Sequence, residues 1–144
     1  TYGPGQNLTN GRQGIAAVFV QQVVRGNKID VTGPLDRYRD ITYIDDNIDA
    51  LILGMDDRTS KEIYNVCTNT KTYVKDIINK FIECSGRDNF EVKNVGSEDG
   101  DQFGNTGNNE KLRKLGWNPK VKIDEGLQKL YDYAEETING NKNV

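Results

Sequence analysis

The segment from residue 72 to residue 86, TYVKDIINKFIECSG, decides the fold class of this 144-residue chain. Its apolar residues recur at helical spacing and form one stripe, made of Val74, Ile77, Ile78, Phe81 and Ile82. Thr72 is a good N-cap and Gly86 a good helix end, so we predict a helix between them. The preceding run at 62–67, EIYNVC, is rich in residues that favour strands. A strand followed by an amphipathic helix indicates an α/β fold.

The rest of the chain continues this alternation. A first helix is predicted by the stripe Ile15, Val18, Phe19 and Val23, with Gly26 at its end. Short strands are predicted at 28–32, 41–44 and 90–95, and further helices at 108–115 and 123–138. Another helix is predicted to begin at an Asp45 N-cap and to carry on one face Ile48, Leu51, Ile52 and Met55. We therefore expect an α/β fold with a small sheet of short strands and four or five helices, in one domain at 1–139 with a frayed tail at 140–144.

Composition excludes several classes of function. A net charge of −3 gives no general attraction for nucleic acid or for an anionic membrane. The absence of histidine excludes Ser-His and Cys-His nucleophile pairs and zinc sites built on histidine. No apolar run approaches the roughly 20 residues that a membrane helix needs. We expect a soluble cytoplasmic protein in which Cys67 and Cys84 are reduced and buried.

Two arginines in turn contexts are candidate ligands for phosphate. Arg12 precedes the first helix, and Arg39 precedes an extended stretch. A guanidinium offers a planar pair of donors that matches phosphate oxygens, and two that converge would match a diphosphate. Either arginine taken alone is also compatible with a solvated surface position.

The polar stretch at 99–110 is a candidate calcium loop. It fits the pattern D-x-[DN]-x-[DN]-G-x5-E except at its fifth position, where Phe103 replaces an oxygen ligand. A calcium loop also needs a helix on each side, whereas the residues at 90–95 alternate like a strand. The acidic cluster Asp45, Asp46 and Asp49 is interpreted as helix capping. We predict no metal site, with a calcium-binding module at 99–110 as an alternative.

Several short segments occur in an order that is informative as a set. Residues 2–6 read YGPGQ, 39–46 RDITYIDD, 63–66 IYNV, 115–119 LGWNP and 124–127 DEGL. In this order they resemble YGPGQ, RDFVYVDD, YNVG, LGWxP and EEGL of the NAD(P)-dependent nucleotide-sugar epimerase/dehydratase family, the extended short-chain dehydrogenase/reductases. The resemblance runs from about residue 2 to residue 133 and is to the carboxy-terminal half of UDP-glucose 4-epimerase-like enzymes.

The resemblance implies a division of labour within a larger protein. In that family the amino-terminal half is a Rossmann-type unit that binds the dinucleotide and carries a Tyr-x-x-x-Lys pair, while this half closes over the nucleotide sugar. The implied substrate residues are Arg12 and Arg39 for the diphosphate, Asp101 for the ribose, and Val31 and Thr32 for the base. The implied cofactor contacts are Tyr2, Gly3 and Pro4. The resemblance also implies NAD as cofactor, the amino-terminal half as partner, and a homodimer in the full-length protein.

Departures from the family pattern limit what the resemblance implies. Glu98 stands where galactose-type epimerases carry an arginine, and Cys67 stands where the family has a glycine. The chain contains neither a G-x-G-x-x-G fingerprint nor the Tyr-x-x-x-Lys pair, and it begins at Thr1 without a methionine. We therefore expect a fragment that holds no catalytic residue and is inactive alone. The parent reaction is expected to be 4-epimerisation, with 4,6-dehydration or decarboxylation as alternatives.

Overall fold

A computed structural model describes residues 1–9, 11, 14–97, 100 and 102–140. The helices are α1 Ile15–Arg25, α2 Ile44–Leu53, α3 Val74–Ser85, α4 Glu110–Arg113 and α5 Ile123–Gly140. The strands are β1 Lys28–Val31, β2 Tyr38–Arg39, β3 Thr72–Tyr73 and β4 Glu91–Asn94. The predicted α/β class with short strands and five helices is confirmed.

The main core lies where α1, α3 and α5 pack together against β1. Each helix contributes fully buried apolar side chains, among them Val20, Ile77 and Leu130. Strand β1 places Ile29 and Val31 in this core because alternate side chains of a strand share one face. Its neighbour is β4, which runs parallel to it in the register Ile29↔Val92. The core thus joins residues from both ends of the chain.

The predicted ends of α1 at Gly26 and of α3 at Gly86 are confirmed, whereas the predicted N-caps of α2 and α3 are wrong. Gly86 ends α3 in the left-handed conformation, with φ 58°, and its N–H donates to the Glu83 carbonyl. The prediction that Thr72 caps α3 is wrong, because Tyr73 holds the N-cap and Thr72 pairs with Arg39 between β3 and β2. The prediction that Asp45 caps α2 is also wrong, since Tyr43 precedes that helix.

Helix α2 faces the rest of the protein with the side opposite to its apolar stripe. The four apolar side chains predicted on one face are exposed, at 45% for Ile48, 71% for Leu51, 61% for Ile52 and 84% for Met55. The buried residues of the helix are Asp46 and Ala50. Ala50 belongs to a small second cluster with Leu112 and Trp117.

The Asp46 carboxylate holds the loop that follows α4 and does not cap its own helix. It accepts hydrogen bonds from the main-chain N–H groups of Lys120 at 2.8 Å and Val121 at 3.2 Å. The indole Nε1 of Trp117 donates to the Asp46 carbonyl at 3.0 Å. The interpretation of Asp46 as a capping residue is therefore corrected.

The predicted strand at 62–67 does not join a sheet. No backbone–backbone hydrogen bond involves residues 63–67 in the part of the chain that the structure describes. Tyr64 and Val66 are half-buried against the second cluster, whereas Ile63 and Asn65 are exposed. The segment has the alternation of a strand but has no neighbouring strand within the described residues.

Two remaining expectations concern the thiols and the membrane. Both cysteines are free, with Cys67 buried and Cys84 only half-buried, and burial raises the pKa of each thiol. Among the described residues, no helix combines the length and the apolar character needed to cross a bilayer.

Candidate functional site

A cavity of about 240 Å³ opens at the amino-terminal end of α1. Its walls come from four separate parts of the chain: residues 1–2, 14–16, 39–41 and Asn105. Tyr2 and Arg39 are the sequence-predicted site residues that line it. This cavity is the place where the structure brings predicted residues together.

The first turn of α1 supplies main-chain N–H groups to the cavity. Gly14 is the N-cap, and a glycine has no side chain that could accept hydrogen bonds from the first N–H groups of the helix. Gly14 has φ 78°, a left-handed conformation, and a side chain there would collide with Gln6. The helix dipole adds partial positive charge at this end. A helix amino terminus of this kind is suited to bind an anion.

Arg39 is another residue in the wall of this cavity. Its Nη1 donates to the Tyr38 carbonyl at 2.9 Å and to the Phe103 carbonyl at 3.4 Å. The pairing of Arg39 with Thr72 between β2 and β3 fixes its backbone. The side chain is therefore held in place by the Phe103 carbonyl and by the Tyr38 carbonyl of its own strand.

Asp40 is a structural residue that the sequence analysis missed. Its carboxylate accepts hydrogen bonds from the N–H and hydroxyl of Thr68, at 2.8 and 2.7 Å, from the Asn69 N–H at 2.9 Å and from the Gly107 N–H at 3.2 Å. Two loops are thereby tied to the residue that follows Arg39. The position of Asp40 next to Arg39 in RDITYIDD could have drawn attention to this residue. The motif does not indicate, however, which loops the Asp40 carboxylate holds.

Arg37 is a second positive group that the sequence analysis missed. It is 7% exposed, and burial together with the nearby positive charge of Arg39 lowers its pKa from the ordinary value. The two guanidinium groups thus lie within electrostatic reach of each other. Residues two positions apart in extended chain point to the same side, and this spacing was the signal available in DRYRD.

Tyr2 forms a rigid wall of the cavity. Its N–H donates to the Thr42 carbonyl at 3.0 Å, its carbonyl accepts from the Ile44 N–H at 2.9 Å, and its ring packs edge-on against Tyr43. Burial, followed by the influence of Tyr43 and Asp46, raises the pKa of its phenol. The phenol therefore stays protonated near neutral pH and is not a proton acceptor there.

The other predicted site residues are distributed differently. Arg12 and Asp101 lie outside the described residues. The Val31 side chain is fully buried in the main core, and its carbonyl accepts from the Val95 N–H at 2.9 Å. Thr32 is half-buried, Gly3 is buried and Pro4 is exposed, and these three do not line the cavity beside Arg39.

A further cavity, of about 280 Å³, lies between residues 68–72 and 119–123. Tyr2 is the one predicted site residue in its wall. Within the described part of the chain, no group of three or more His, Cys, Asp or Glu residues is arranged to hold a metal ion. Two acidic residues of the calcium-loop alternative, Asp99 and Asp101, fall outside the described residues, and strand β4 precedes them instead of a helix.

Comparison with known proteins gives a consistent set of relatives. Residues 1–67 match the model of the NAD dependent epimerase/dehydratase family. UDP-glucuronic acid decarboxylase 5 of Arabidopsis thaliana is 30% identical over 146 residues, which cover 99% of this chain and 41% of that protein. The chain thus spans about two fifths of the length of this curated relative.

Solved structures agree with the sequence comparison. UDP-glucose 4-epimerase of Thermotoga maritima, solved with UDP-glucose, superposes with a TM-score of 0.85 and 29% identity, over 95% of this chain and 44% of that one. UDP-glucose 4-epimerase of Thermus thermophilus, solved with NAD, superposes with a TM-score of 0.79 and 28% identity, over 92% of this chain and 43% of that one.

Proposed function

Because the chain belongs to the NAD-dependent epimerase/dehydratase family, the extended short-chain dehydrogenase/reductases, we propose that it is the nucleotide-sugar-binding portion of an NAD-dependent 4-epimerase. The single observation that carries the proposal is the cavity whose walls include both Arg39 and the first turn of α1. A nucleotide sugar carries an anionic diphosphate between its base and its sugar. A chain of net charge −3 needs a local concentration of donors to hold that group.

The diphosphate is proposed to bind between Arg39 and the first turn of α1. Arg39 would donate charge-assisted hydrogen bonds to one phosphate, and the first N–H groups of α1 would donate to the other. Arg12, two positions before Gly14 in sequence, is the proposed second guanidinium. Arg37 raises the positive potential around Arg39 without lining the cavity.

The nucleoside is proposed to bind along the end of β1. Thr32 would contact the base with its side chain, whereas Val31 can take part only through its main chain because its side chain lies in the core. Asp101 is proposed to accept from the ribose hydroxyls. These assignments rest on the resemblance of the chain to the family pattern.

The described residues that were predicted to contact the cofactor offer few groups to a dinucleotide. The main-chain N–H and carbonyl of Tyr2 are already bonded to Thr42 and Ile44, and Gly3 is buried. We propose that NAD is held mainly by an amino-terminal half, with Tyr2, Gly3 and Pro4 on the side that faces it. When bound, NAD would supply the hydride transfer, and the residues of this chain would orient the nucleotide sugar for it. The whole protein is proposed to be a cytoplasmic homodimer, and the chain alone is expected to be inactive.

Decarboxylation of a nucleotide sugar is the second candidate reaction. It is favoured by the 30% identity with a UDP-glucuronic acid decarboxylase and by the Asn10-Gly11-Arg12 spacing after YGP. A 4,6-dehydration would use the same diphosphate site. Product analysis with the full-length protein separates the three reactions, since a 4-epimer, a 4-keto-6-deoxy sugar and a pentose differ in mass or in stereochemistry.

Calorimetric titration tests the binding proposal directly. The chain is titrated in parallel with UDP-glucose, GDP-mannose, CDP-glucose, dTDP-glucose and calcium chloride. We expect saturable binding of at least one nucleotide sugar. Micromolar calcium binding with no binding of any nucleotide would contradict the proposal and would favour the calcium-module alternative.

A further inference from the structure

The cavity of about 280 Å³ between residues 68–72 and 119–123 has three cationic side chains in its wall. Arg113 comes from α4, and Lys120 and Lys122 come from the loop that leads into α5. Among the described residues, no Asp or Glu lines this cavity. Its wall therefore concentrates positive charge, although the chain as a whole has a net charge of −3.

Two of these three cations have no acidic partner within the described part of the chain. The Lys120 ammonium is paired with the carboxylate of Asp49. For the Arg113 guanidinium and the Lys122 ammonium, the structure describes neither a hydrogen bond nor an ion pair, and both residues are exposed. These two groups can therefore donate to a ligand without giving up a contact inside the protein.

The place of Lys122 in the chain adds an electrostatic argument. Lys122 directly precedes α5, and its carbonyl accepts from the Gly126 N–H at 2.9 Å. Positions of this kind favour side chains with an oxygen acceptor, and the positive end of a helix dipole disfavours a cation. The acidic residues of the first turn of α5, Asp124 and Glu125, do not line the cavity. An anion bound in the cavity would offset this repulsion.

The wall at 68–72 supplies threonine hydroxyls to the same cavity. The Thr68 hydroxyl is committed to Asp40, to which it donates at 2.7 Å. The Thr70 hydroxyl makes only a long contact of 3.4 Å with the Thr68 carbonyl, so it can turn toward a ligand. Thr72 also lines the cavity. Hydroxyl groups beside a guanidinium and an ammonium are suitable donors for the oxygens of a phosphate.

The size of the cavity and its apolar side chains restrict the ligand further. Pockets for drug-sized ligands have volumes of about 300–1,000 Å³, so this cavity suits a smaller molecule. Its wall is completed by apolar residues, among them Ile41, Val121 and Ile123. A phosphate monoester with a short carbon chain matches both parts of the wall. Its dianionic end suits the planar donors of Arg113, and its carbon chain suits the apolar side.

We propose that this cavity binds a small phosphate monoester, whose phosphate contacts Arg113 and Lys122 and whose carbon chain packs against Ile41 and Val121. The inference does not depend on the proposed function. It concerns a site separate from the cavity beside Arg39, although Tyr2 and Ile41 belong to the walls of both.

A two-dimensional NMR titration of the isotope-labelled chain tests the proposal and locates the ligand. The probes are inorganic phosphate, propyl phosphate and acetate. We expect saturable shifts of the main-chain amide signals at 70–72 and 120–123 with both phosphates. Propyl phosphate is expected to bind at least about fivefold more tightly than inorganic phosphate, because its carbon chain is buried. Acetate is expected to cause no saturable shift at these residues.

Charge-matched variants show which cations hold the ligand. Arg113→Gln and Lys122→Gln are each expected to weaken binding of propyl phosphate at least about tenfold, through loss of a charge-assisted hydrogen bond. Lys114→Gln is the matched control, because Lys114 is exposed, adjoins Arg113 and does not line the cavity. It removes the same unit of charge and is expected to leave the affinity unchanged.

The other outcomes contradict defined parts of the proposal. Phosphate-induced shifts confined to 14–16 and 39–41, or lost in Arg39→Ala, would place the anion in the cavity beside Arg39 and overturn the second site. The same conclusion follows if no signal shifts at 70–72 and 120–123. Equal weakening by Lys114→Gln would mean that general charge attracts the ligand. Equal affinities for propyl phosphate, inorganic phosphate and acetate would overturn the assignment of a phosphate monoester.

Discussion

Asp40 Oδ1 accepts hydrogen bonds from both the main-chain N–H and the hydroxyl of Thr68, at 2.8 and 2.7 Å. This pair of contacts fixes the residue that directly follows Arg39 in sequence. Since Oδ2 also accepts from the N–H groups of Asn69 and Gly107, one carboxylate positions two separate segments of backbone, 68–69 and the one at Gly107. Strand β2, which carries Arg39, is therefore held by the Asp40 carboxylate as well as by its short pairing with β3.

Replacing Arg39 by alanine is expected to weaken nucleotide-sugar binding. Loss of charge-assisted hydrogen bonds to a phosphate costs about 1.5–3 kcal/mol, which is about a 10- to 100-fold rise in Kd. The matched control is Arg25→Ala, because Arg25 lies at the other end of α1 and contacts Gln21 and Leu8. Calorimetry with the nucleotide sugar that binds best measures both variants. Equal losses for the two would mean that the cavity beside Arg39 is not the diphosphate site.

Removing the Asp40 carboxylate is expected to destabilise the fold and loosen the loops that it holds. Asp40→Ala leaves the Thr68, Asn69 and Gly107 N–H groups without their acceptor, for a loss of about 2 kcal/mol in the free energy of unfolding. Urea denaturation followed by circular dichroism measures this loss. Asp30→Ala is the control, since the Asp30 carboxylate forms a surface ion pair with Lys28, and this replacement is expected to change stability by about 0.5 kcal/mol or less. An Asp40 variant as stable as the Asp30 variant would refute the anchoring role.

Asp46 and its neighbour Asp45 provide a comparison within one dipeptide. Asp46 is 2% exposed and bonded to the loop at 120–121, whereas Asp45 is exposed. Asp46→Ala is expected to lower stability by about 3 kcal/mol and to shift the emission of Trp117, the one tryptophan, to longer wavelength as the loop opens. Asp45→Ala is expected to leave the emission unchanged. A red shift in both variants would indicate that general unfolding, and not loss of the Asp46 contacts, exposes the indole.

Stability is expected to fall in alkali partly through Tyr2. Burial raises the pKa of Tyr2 above its ordinary 10.0 in the folded protein, so the folded state holds the phenolic proton more tightly than the unfolded state. This contribution to stability is complete below pH 10 and is lost as the pH rises toward the folded-state pKa. Denaturation curves at pH 8 and pH 11 are expected to differ less for Tyr2→Phe than for the unmodified chain. Tyr133→Phe, at a half-buried position on α5, serves as the control and is expected to keep the full difference.

The elements that were predicted correctly from the sequence are those whose apolar side chains pack against the main core. The stripes of α1, α3 and α5 are apolar because each faces the main core, so periodicity alone placed them. The alternation of β1 was readable for the same reason, with Ile29 and Val31 buried. For these elements the surface against which the apolar side chains pack lies within the same chain.

Sequence reasoning failed where the deciding contact depends on distant backbone. The orientation of α2 is set by Asp46, Ala50 and the loop around Trp117, none of which an apolar pattern reveals. The strand predicted at 62–67 is not formed, because a strand needs a neighbour that the described residues do not supply. Of the candidate site, the guanidinium at Arg39 was predicted, whereas the anchoring by Asp40 and the proximity of Arg37 required the fold.

Helix α2 exposes its apolar face to solvent, which matters when this polypeptide is produced by itself. At high concentration the chain is expected to aggregate through these apolar side chains. Truncation of the termini will not prevent this, because the side chains lie in the middle of the polypeptide. Swapping Leu51 and Met55 for lysine offers a remedy that leaves the ligand cleft untouched. For ligand screening against the cleft, these two substitutions are expected to improve the solubility of the protein more than a change in the residues at which it starts and ends.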